Sequence, residues 1–133
     1  MRFMMLMIPK GYEKAVPGAM PDPQAIVAMG KYNQTLRKAG VLLEVNGLHP
    51  PSAGARVSFE GGKPHVTDGP FIEAKEVVGG YWIIQAKSKE EVVEWAKRCP
   101  GSDNEVIEIR QIHEVSEFPP EVLKAASDAG LAY

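Results

Sequence analysis

The chain has 133 residues, a formal net charge of −2, 44% hydrophobic residues and 24% charged residues, which is typical of one soluble globular domain. No block of Lys or Arg is present, and no stretch approaches the roughly 20 apolar residues of a membrane-spanning helix, so we expect a partner that is neither nucleic acid nor membrane. The single cysteine, Cys99, excludes an intrachain disulfide and favours a cytoplasmic location.

The first predicted element is a strand over residues 3–8, where six apolar residues follow one another. The run is too short for the hydrophobic region of a signal peptide, and no cleavage-type sequence follows it. Uninterrupted apolar runs are typical of strands that are covered on both faces. The loop 9–21 is long for a compact domain and is a candidate functional flap, or else a mobile segment.

Asp22 and Pro23 predict the start of a helix, because Asp is a favoured N-cap and Pro is favoured at the first helical position. An apolar stripe at helical spacing predicts one buried face: Ala25, Met29, Tyr32, Leu36 and Ala39. A short apolar segment, 41–45, leads the chain back towards the sheet.

A hairpin is predicted next, because residues 56–60 alternate polar and apolar, Gly61-Gly62 is a two-residue turn signal, and 63–67 returns. The alternation indicates one wet face. A long central strand is predicted over 77–86, where Gly79-Gly80 indicates a bulge or a close backbone approach. Tyr81 and Trp82 are expected on opposite faces of this strand.

Ser88 and Glu91 form a capping-box pattern that predicts the second helix. Its predicted buried stripe consists of Val92, Trp95, Ala96 and Cys99. A last strand over 105–112 is followed by the C-terminal tail 116–133, with a weak helix over 121–129. The order β-α-β-β-α-β predicts an α+β fold over 1–115, a ferredoxin-like sandwich with an antiparallel sheet. Because helices cover one face only, we expect the second apolar face to join two copies, sheet to sheet, as a homodimer.

The loop at the start of the central strand carries the best candidate for chemistry. Asp68-Gly69-Pro70 is a dense turn signal, and loops on rigid scaffolds often carry function. Asp68 at a strand end is a candidate catalytic carboxylate, and the alternative is an Asx-turn residue that bonds nearby backbone N–H groups. The candidate ligand-binding residues are its neighbours: Gly69, Pro70, Phe71, Glu73, Lys75 and Glu76. The alternative for the charged ones is a solvated loop.

His49 is a second catalytic candidate, since it lies in the proline-fixed loop Leu48-His49-Pro50-Pro51 that could approach the same cleft. The alternative is a surface loop residue, and His65 and His113 are interpreted as ordinary strand residues. Three scattered histidines predict no metal site. No nucleotide or flavin motif is present, so we expect no cofactor.

The segment 67–84 reads TDGPFIEAKEVVGGYWII and strongly resembles the signature of the DGPF-domain branch of the YCII-related family. The likeness covers most of residues 1–115 and includes Gly47-Leu48, Pro50-Pro51, Ser88, Glu91 and Trp95-Ala96. The resemblance implies a dimeric α/β-barrel arrangement of ferredoxin-like domains. It also implies a small cofactor-independent enzyme or small-molecule-binding protein, with acid/base chemistry of the lyase or isomerase kind near Asp68.

The resemblance leaves two function classes open. Enzyme-like relatives pair an aspartate with a histidine in the first helix, where this chain has Met29, so His49 would have to replace that histidine. By analogy at the level of the fold, a small organic acid or lactone would suit such a barrel. Family members are also associated with sigma-factor-like transcription proteins, which implies the alternative of a non-catalytic regulatory or interaction module.

Overall fold

The computed structural model describes residues 1–71 and 74–130. Within these residues the strands and α-helices follow in the order β1 (Arg2–Ile8), α1 (Pro23–Lys38), β2 (Leu42–Gly47), β3 (Ala55–Glu60), β4 (Lys63–Asp68), β5 (Gly80–Gln85), α2 (Lys89–Lys97), β6 (Val106–Gln111) and α3 (Pro120–Asp128). Short 3-10 helices lie at Tyr12–Lys14, Pro51–Ala53 and Val115–Glu117.

Four strands form one antiparallel sheet in the order β2-β5-β1-β6. In the centre of the sheet, Met5 of β1 lies opposite Trp82 on one side and Ile109 on the other. Strands β1, β2, β5 and β6, connected through α1 and α2, have the strand order of a ferredoxin-like fold. The structure therefore confirms the predicted α+β class.

The core lies between one face of this sheet and the helices α1 and α2. Its buried side chains come from both layers: Phe3, Met5, Met7, Tyr32, Leu36, Trp82, Ile84, Ala86 and Val92. Alternate residues of β1 and β5 point into it, as the period of a strand requires. Burial of these side chains is the main favourable contribution to folding.

Polar groups inside the core fix how α1 sits on the sheet. The indole N–H of Trp82 donates to Oδ1 of Asn33 at 2.7 Å, and the hydroxyl of Tyr32 donates to the carbonyl of Trp95 at 2.7 Å. The rings of Tyr32 and Trp82 meet edge to face, with centroids 5.9 Å apart. Because buried polar groups are costly without partners, these bonds select one docking position for the helix.

The opposite face of the sheet has an apolar centre and polar edges. Met4 and Leu6 of β1 lie opposite Ile83 and Tyr81 of β5, and all four are half-buried. This confirms that the two central strands carry apolar side chains on both faces. The flanking strands place charged or amide side chains beside them: Glu44 and Asn46 on β2, and Glu108 and Arg110 on β6.

The prediction of the central strand was too long at its start, since β5 begins at Gly80 rather than at residue 77. In the register of β1 and β5, Met7 lies opposite Gly80, so extending the ladder to residue 78 would pair Ile8 with Gly79 and Pro9 with Val78. Proline has no N–H to donate, and the regular pairing stops there.

The predicted hairpin forms, but both of its faces are exposed, whereas the alternation predicted only one wet face. Strands β3 and β4 make a separate two-stranded sheet, joined by Gly61-Gly62, and every residue of both strands is exposed. The hairpin is not hydrogen-bonded to the four-stranded sheet, and its apolar side chains stay outside the core.

Two predicted helix stripes are narrower than expected. Ala25 and Ala39 at the ends of the α1 stripe are exposed, and the buried residues of this helix are Tyr32 and Leu36. In α2, Val92 is fully buried, whereas Trp95 is half-buried and its ring lies 4.5 Å from the guanidinium carbon of Arg98. Trp95 therefore lies at the rim of the core rather than at its centre.

Candidate functional site

One end of the four-stranded sheet carries a cavity of about 700 Å³. Its walls include Pro9 after β1, Gly47 at the end of β2, Gly79 before β5 and Glu105 before β6. These four positions meet because neighbouring strands are antiparallel, which places the ends of β1 and β2 beside the starts of β5 and β6. The loop 9–21 and the first turn of α1 close the remaining sides, mainly with apolar groups such as Ala19, Met20 and Ile26.

The loop 9–21 is tied to the segment that follows β2. The hydroxyl of Tyr12 donates to the carbonyl of Leu48, and the hydroxyl of Ser52 donates to the carbonyl of Ala15 at 2.8 Å. Burial raises the pKa of Tyr12, so its ring remains a neutral phenol at physiological pH. Tyr12 therefore acts as a brace that holds the wall containing Leu48 and His49.

Gly79 connects three of the segments that form the cavity. Its N–H donates to the carbonyl of Met7 at 2.8 Å, and its carbonyl accepts from the N–H of Leu48 at 2.9 Å. A Cβ atom at this position would lie 2.5 Å from Cγ of Pro9, so a larger residue would push the walls apart. The close backbone approach predicted for Gly79-Gly80 is confirmed here.

His49 lines the cavity directly. It follows β2 and precedes Pro50, which is fully buried and anchors the loop. The imidazole itself is exposed, so it is accessible both to solvent and to a molecule in the cavity. An accessible imidazole held between an ordered strand and a buried proline can exchange protons with a bound ligand.

The turn at Asp68 lies next to the loop of His49 but does not line the cavity. The N–H of Gly69 donates to the carbonyl of Gly54 at 2.9 Å, and a Cβ at Gly69 would lie 1.7 Å from the carbonyl oxygen of Pro51. The Asp68 carboxylate is exposed and accepts no hydrogen bond from any residue that the structure describes. The fold thus brings the two predicted loops together through their backbones, with Asp68 on the outer side.

The sequence model of the YCII-related domain matches residues 1–116. The chain belongs to the YCII-related family. An uncharacterized protein of Rhizobium meliloti (strain 1021) is 37% identical to it over 60 residues, which cover 45% of this chain and 48% of that relative. The chain thus matches about half of the relative's length, and the relative's name states no activity.

The other predicted ligand-binding residues of this YCII-related protein that the structure describes do not line the cavity. Pro70 is exposed, and Phe71 is half-buried with the guanidinium carbon of Arg56 at 4.1 Å from its ring centre. Lys75 and Glu76 are exposed. Glu73 lies outside the described residues.

Tyr12 and Glu105 are cavity residues that the sequence patterns did not indicate. Tyr12 lies in the short 3-10 helix Tyr12–Lys14 within the loop 9–21, where no sequence periodicity indicates a function. Glu105 is the first residue of the predicted last strand, so inspecting the residues where the predicted strands begin and end would have selected it. Across residues 1–71 and 74–130, no three His, Cys, Asp or Glu side chains are grouped so that they could hold a metal ion. No helix in the same part of the chain has the length and apolar character needed to cross a membrane.

Proposed function

We propose that this YCII-related protein binds a small organic molecule in the cavity beside His49 and carries out cofactor-independent acid/base chemistry on it. The observation that supports the proposal is an accessible imidazole at the wall of a mainly apolar cavity of about 700 Å³. Cavities of this size and lining, with a few polar groups, are typical of small-molecule sites.

His49 is the group that we propose to transfer the proton. Its ring can accept a proton from a carbon next to a carbonyl group, which leaves an enolate. Return of the proton at another position is the chemistry of an isomerase, and departure of a leaving group from the adjacent carbon with its bonding electrons is that of a lyase. The apolar walls would exclude water and strengthen polar contacts with the ligand. The hydroxyl of Tyr12 is already used by Leu48, so Tyr12 positions the histidine loop.

A metabolite screen by thermal shift tests the proposal, because a ligand that binds only the native state must raise the unfolding midpoint. We expect His49→Ala to fold normally and to lose turnover of any substrate found by about 100-fold or more. His65→Ala is the matched control, since His65 lies on the exposed hairpin strand β4 and does not line the cavity.

Asp68→Asn separates the two catalytic candidates in the same assay. Asn keeps the size and the turn preference of Asp but cannot take up a proton near neutral pH. Full turnover in this variant would assign the proton transfer to His49 alone. Loss of turnover would identify Asp68 as the carboxylate that transfers the proton. Activity that survives both His49→Ala and Asp68→Asn would contradict the proposed chemistry.

The exposed hairpin favours a second candidate function, a non-catalytic interaction module. Val57 lies opposite Val66 and Phe59 opposite Pro64, which places four apolar side chains on one face of the hairpin. Phe59 is 77% and Val66 70% exposed, and contiguous exposed apolar groups often mark protein contacts. Under this alternative no metabolite raises the unfolding midpoint, and Phe59→Ser abolishes association with a partner while the fold persists.

We also propose that the protein is a homodimer joined through the free face of its sheet. The apolar centre of this face, with Leu6 and Ile83, is flanked by polar side chains on β2 and β6. Protein interfaces commonly have such an apolar core and polar rim. A second copy related by a twofold axis would cover the centre with the same surface.

A further inference from the structure

We infer that the cavity selects neutral or cationic ligands with an apolar body and rejects anions such as carboxylates and phosphates. The inference rests on the proposed function and narrows its substrate class. It follows from the charges at the walls, since Glu105 is an acidic wall residue and no described residue of the lining is Lys or Arg. The nearest lysines of the covering loop, Lys10 and Lys14, are exposed and do not line the cavity.

The carboxylate of Glu105 is held in place at the start of β6. Its Oε1 accepts from the N–H of Ser102 at 2.7 Å, and the residue is half-buried. Its Oε2 accepts no hydrogen bond from the residues that the structure describes. One oxygen therefore fixes the carboxylate while the other remains available to a ligand that carries an N–H or O–H group.

Two other groups beside the cavity that could bind an anion already have hydrogen-bond partners. The hydroxyl of Tyr12 donates to Leu48, so it is not free to donate to a ligand. The N-terminus of α1 adjoins the cavity at Ile26, but the carboxylate of Asp22 already accepts from the N–H of Gln24 at 2.7 Å. The N–H of Gln24 at this helix end is therefore already paired and is not free to bind an anion.

The charge of Glu105 increases the cost of bringing a negative charge into a mainly apolar cavity. Of the two substrate types expected from the fold, a lactone remains compatible with this wall and a small organic acid does not.

Three probes of nearly the same shape test the inference: phenethylamine, phenethyl alcohol and phenylacetate. Their dissociation constants are measured by NMR titration at low ionic strength and about pH 8, where an imidazole is ordinarily neutral. We expect the amine to bind roughly tenfold or more tightly than the acid, with the alcohol between them.

Glu105→Gln removes the charge but keeps an oxygen that can accept from Ser102. In this variant we expect the amine and the acid to bind within about twofold of each other, since the charge preference depends on Glu105. Glu60→Gln, an exposed position at the end of β3, is the matched control and should keep the tenfold preference.

The possible outcomes separate this inference from the proposed function. An acid that binds the unmodified protein as tightly as the amine overturns the inference and leaves the cavity as a ligand site. A preference that survives Glu105→Gln also overturns it, because the charge would then act from elsewhere. If none of the three probes perturbs the resonances of cavity residues, the proposed function fails and the inference fails with it.

Discussion

At the scale of single residues, Cys99 shows how burial turns a reactive group into an inert one. It lies after α2, is half-buried, and lines a second surface cleft together with Glu105. Burial raises the pKa of the thiol to about 11, and the charge of Glu105 adds to the shift. Only the thiolate is a good nucleophile, so this cysteine is expected to be unreactive near neutral pH.

We therefore expect Cys99 of the native protein to react with iodoacetamide at about pH 8 roughly tenfold more slowly than in urea-unfolded protein. The lower thiolate fraction reduces the rate about 100-fold, and the greater nucleophilicity of a more basic thiolate partly offsets this. Mass spectrometry of the alkylated fraction over time measures the ratio. Equal rates in both states would show that the thiol is not desolvated.

The sign of the accompanying pH effect on stability follows from the same shift. Because the folded-state pKa is raised, the contribution of Cys99 is fully present below the pKa of the unfolded thiol, 9.0. It is lost as the pH rises from there to about 11, since the unfolded chain then releases the proton first. Cys99→Ala should flatten the fall in stability over this interval.

At the scale of elements, the start of α1 joins helix formation to the cavity. Asp22 caps the helix as the sequence predicts, with Pro23 at the first helical position. Pro21 and Ile26 on either side of the cap line the cavity. Fraying of this helix end would therefore move a wall of the site.

We expect Asp22→Ala to reduce the free energy of unfolding by about 1 kcal/mol, because the N–H of Gln24 loses its acceptor. Asp22→Asn keeps an accepting oxygen and should lose clearly less. Urea denaturation of the three proteins measures both values. Equal losses for Ala and Asn would mean that the negative charge, rather than the capping bond, stabilises this end.

At the scale of the whole molecule, the proposed dimer would form through the free face of the sheet. The hydroxyl of Tyr81 donates to Glu44 at 2.8 Å and accepts from Asn46 at 3.0 Å, so it has both a hydrogen-bond acceptor and a donor within one copy of the chain. Met4, Leu6 and Ile83 lie beside it and remain partly exposed. A second copy would bury them, which is favourable in proportion to the apolar area removed from water.

Light scattering at micromolar concentration should give twice the 14.5 kDa chain mass. Ile83→Arg should yield monomers, because a twofold contact would bring two unpaired charges together on an apolar surface. Gln34→Arg on the exposed side of α1 is the control and should remain dimeric. A measured mass of one chain for the unmodified protein would contradict the proposed dimer.

The sequence by itself determined the elements and their order. The cap at Asp22, the helix start at Ser88, the turn at Gly61-Gly62 and the apolar runs of β1 and β5 are local signals, and the structure contains each of them. Such signals depend on neighbouring residues, so they can be recognised without knowing what packs against them. The order of elements then restricted the fold to the ferredoxin-like class.

Only the tertiary structure decided where the cavity lies and which side chains reach it. Tyr12, His49, Gly79 and Glu105 are far apart in the chain and meet because the register of β1, β2, β5 and β6 brings their ends to one edge. The same packing leaves Asp68 on the outside of its turn, although its motif was the strongest in the sequence. Contacts between distant segments depend on register and packing, and no local pattern encodes them.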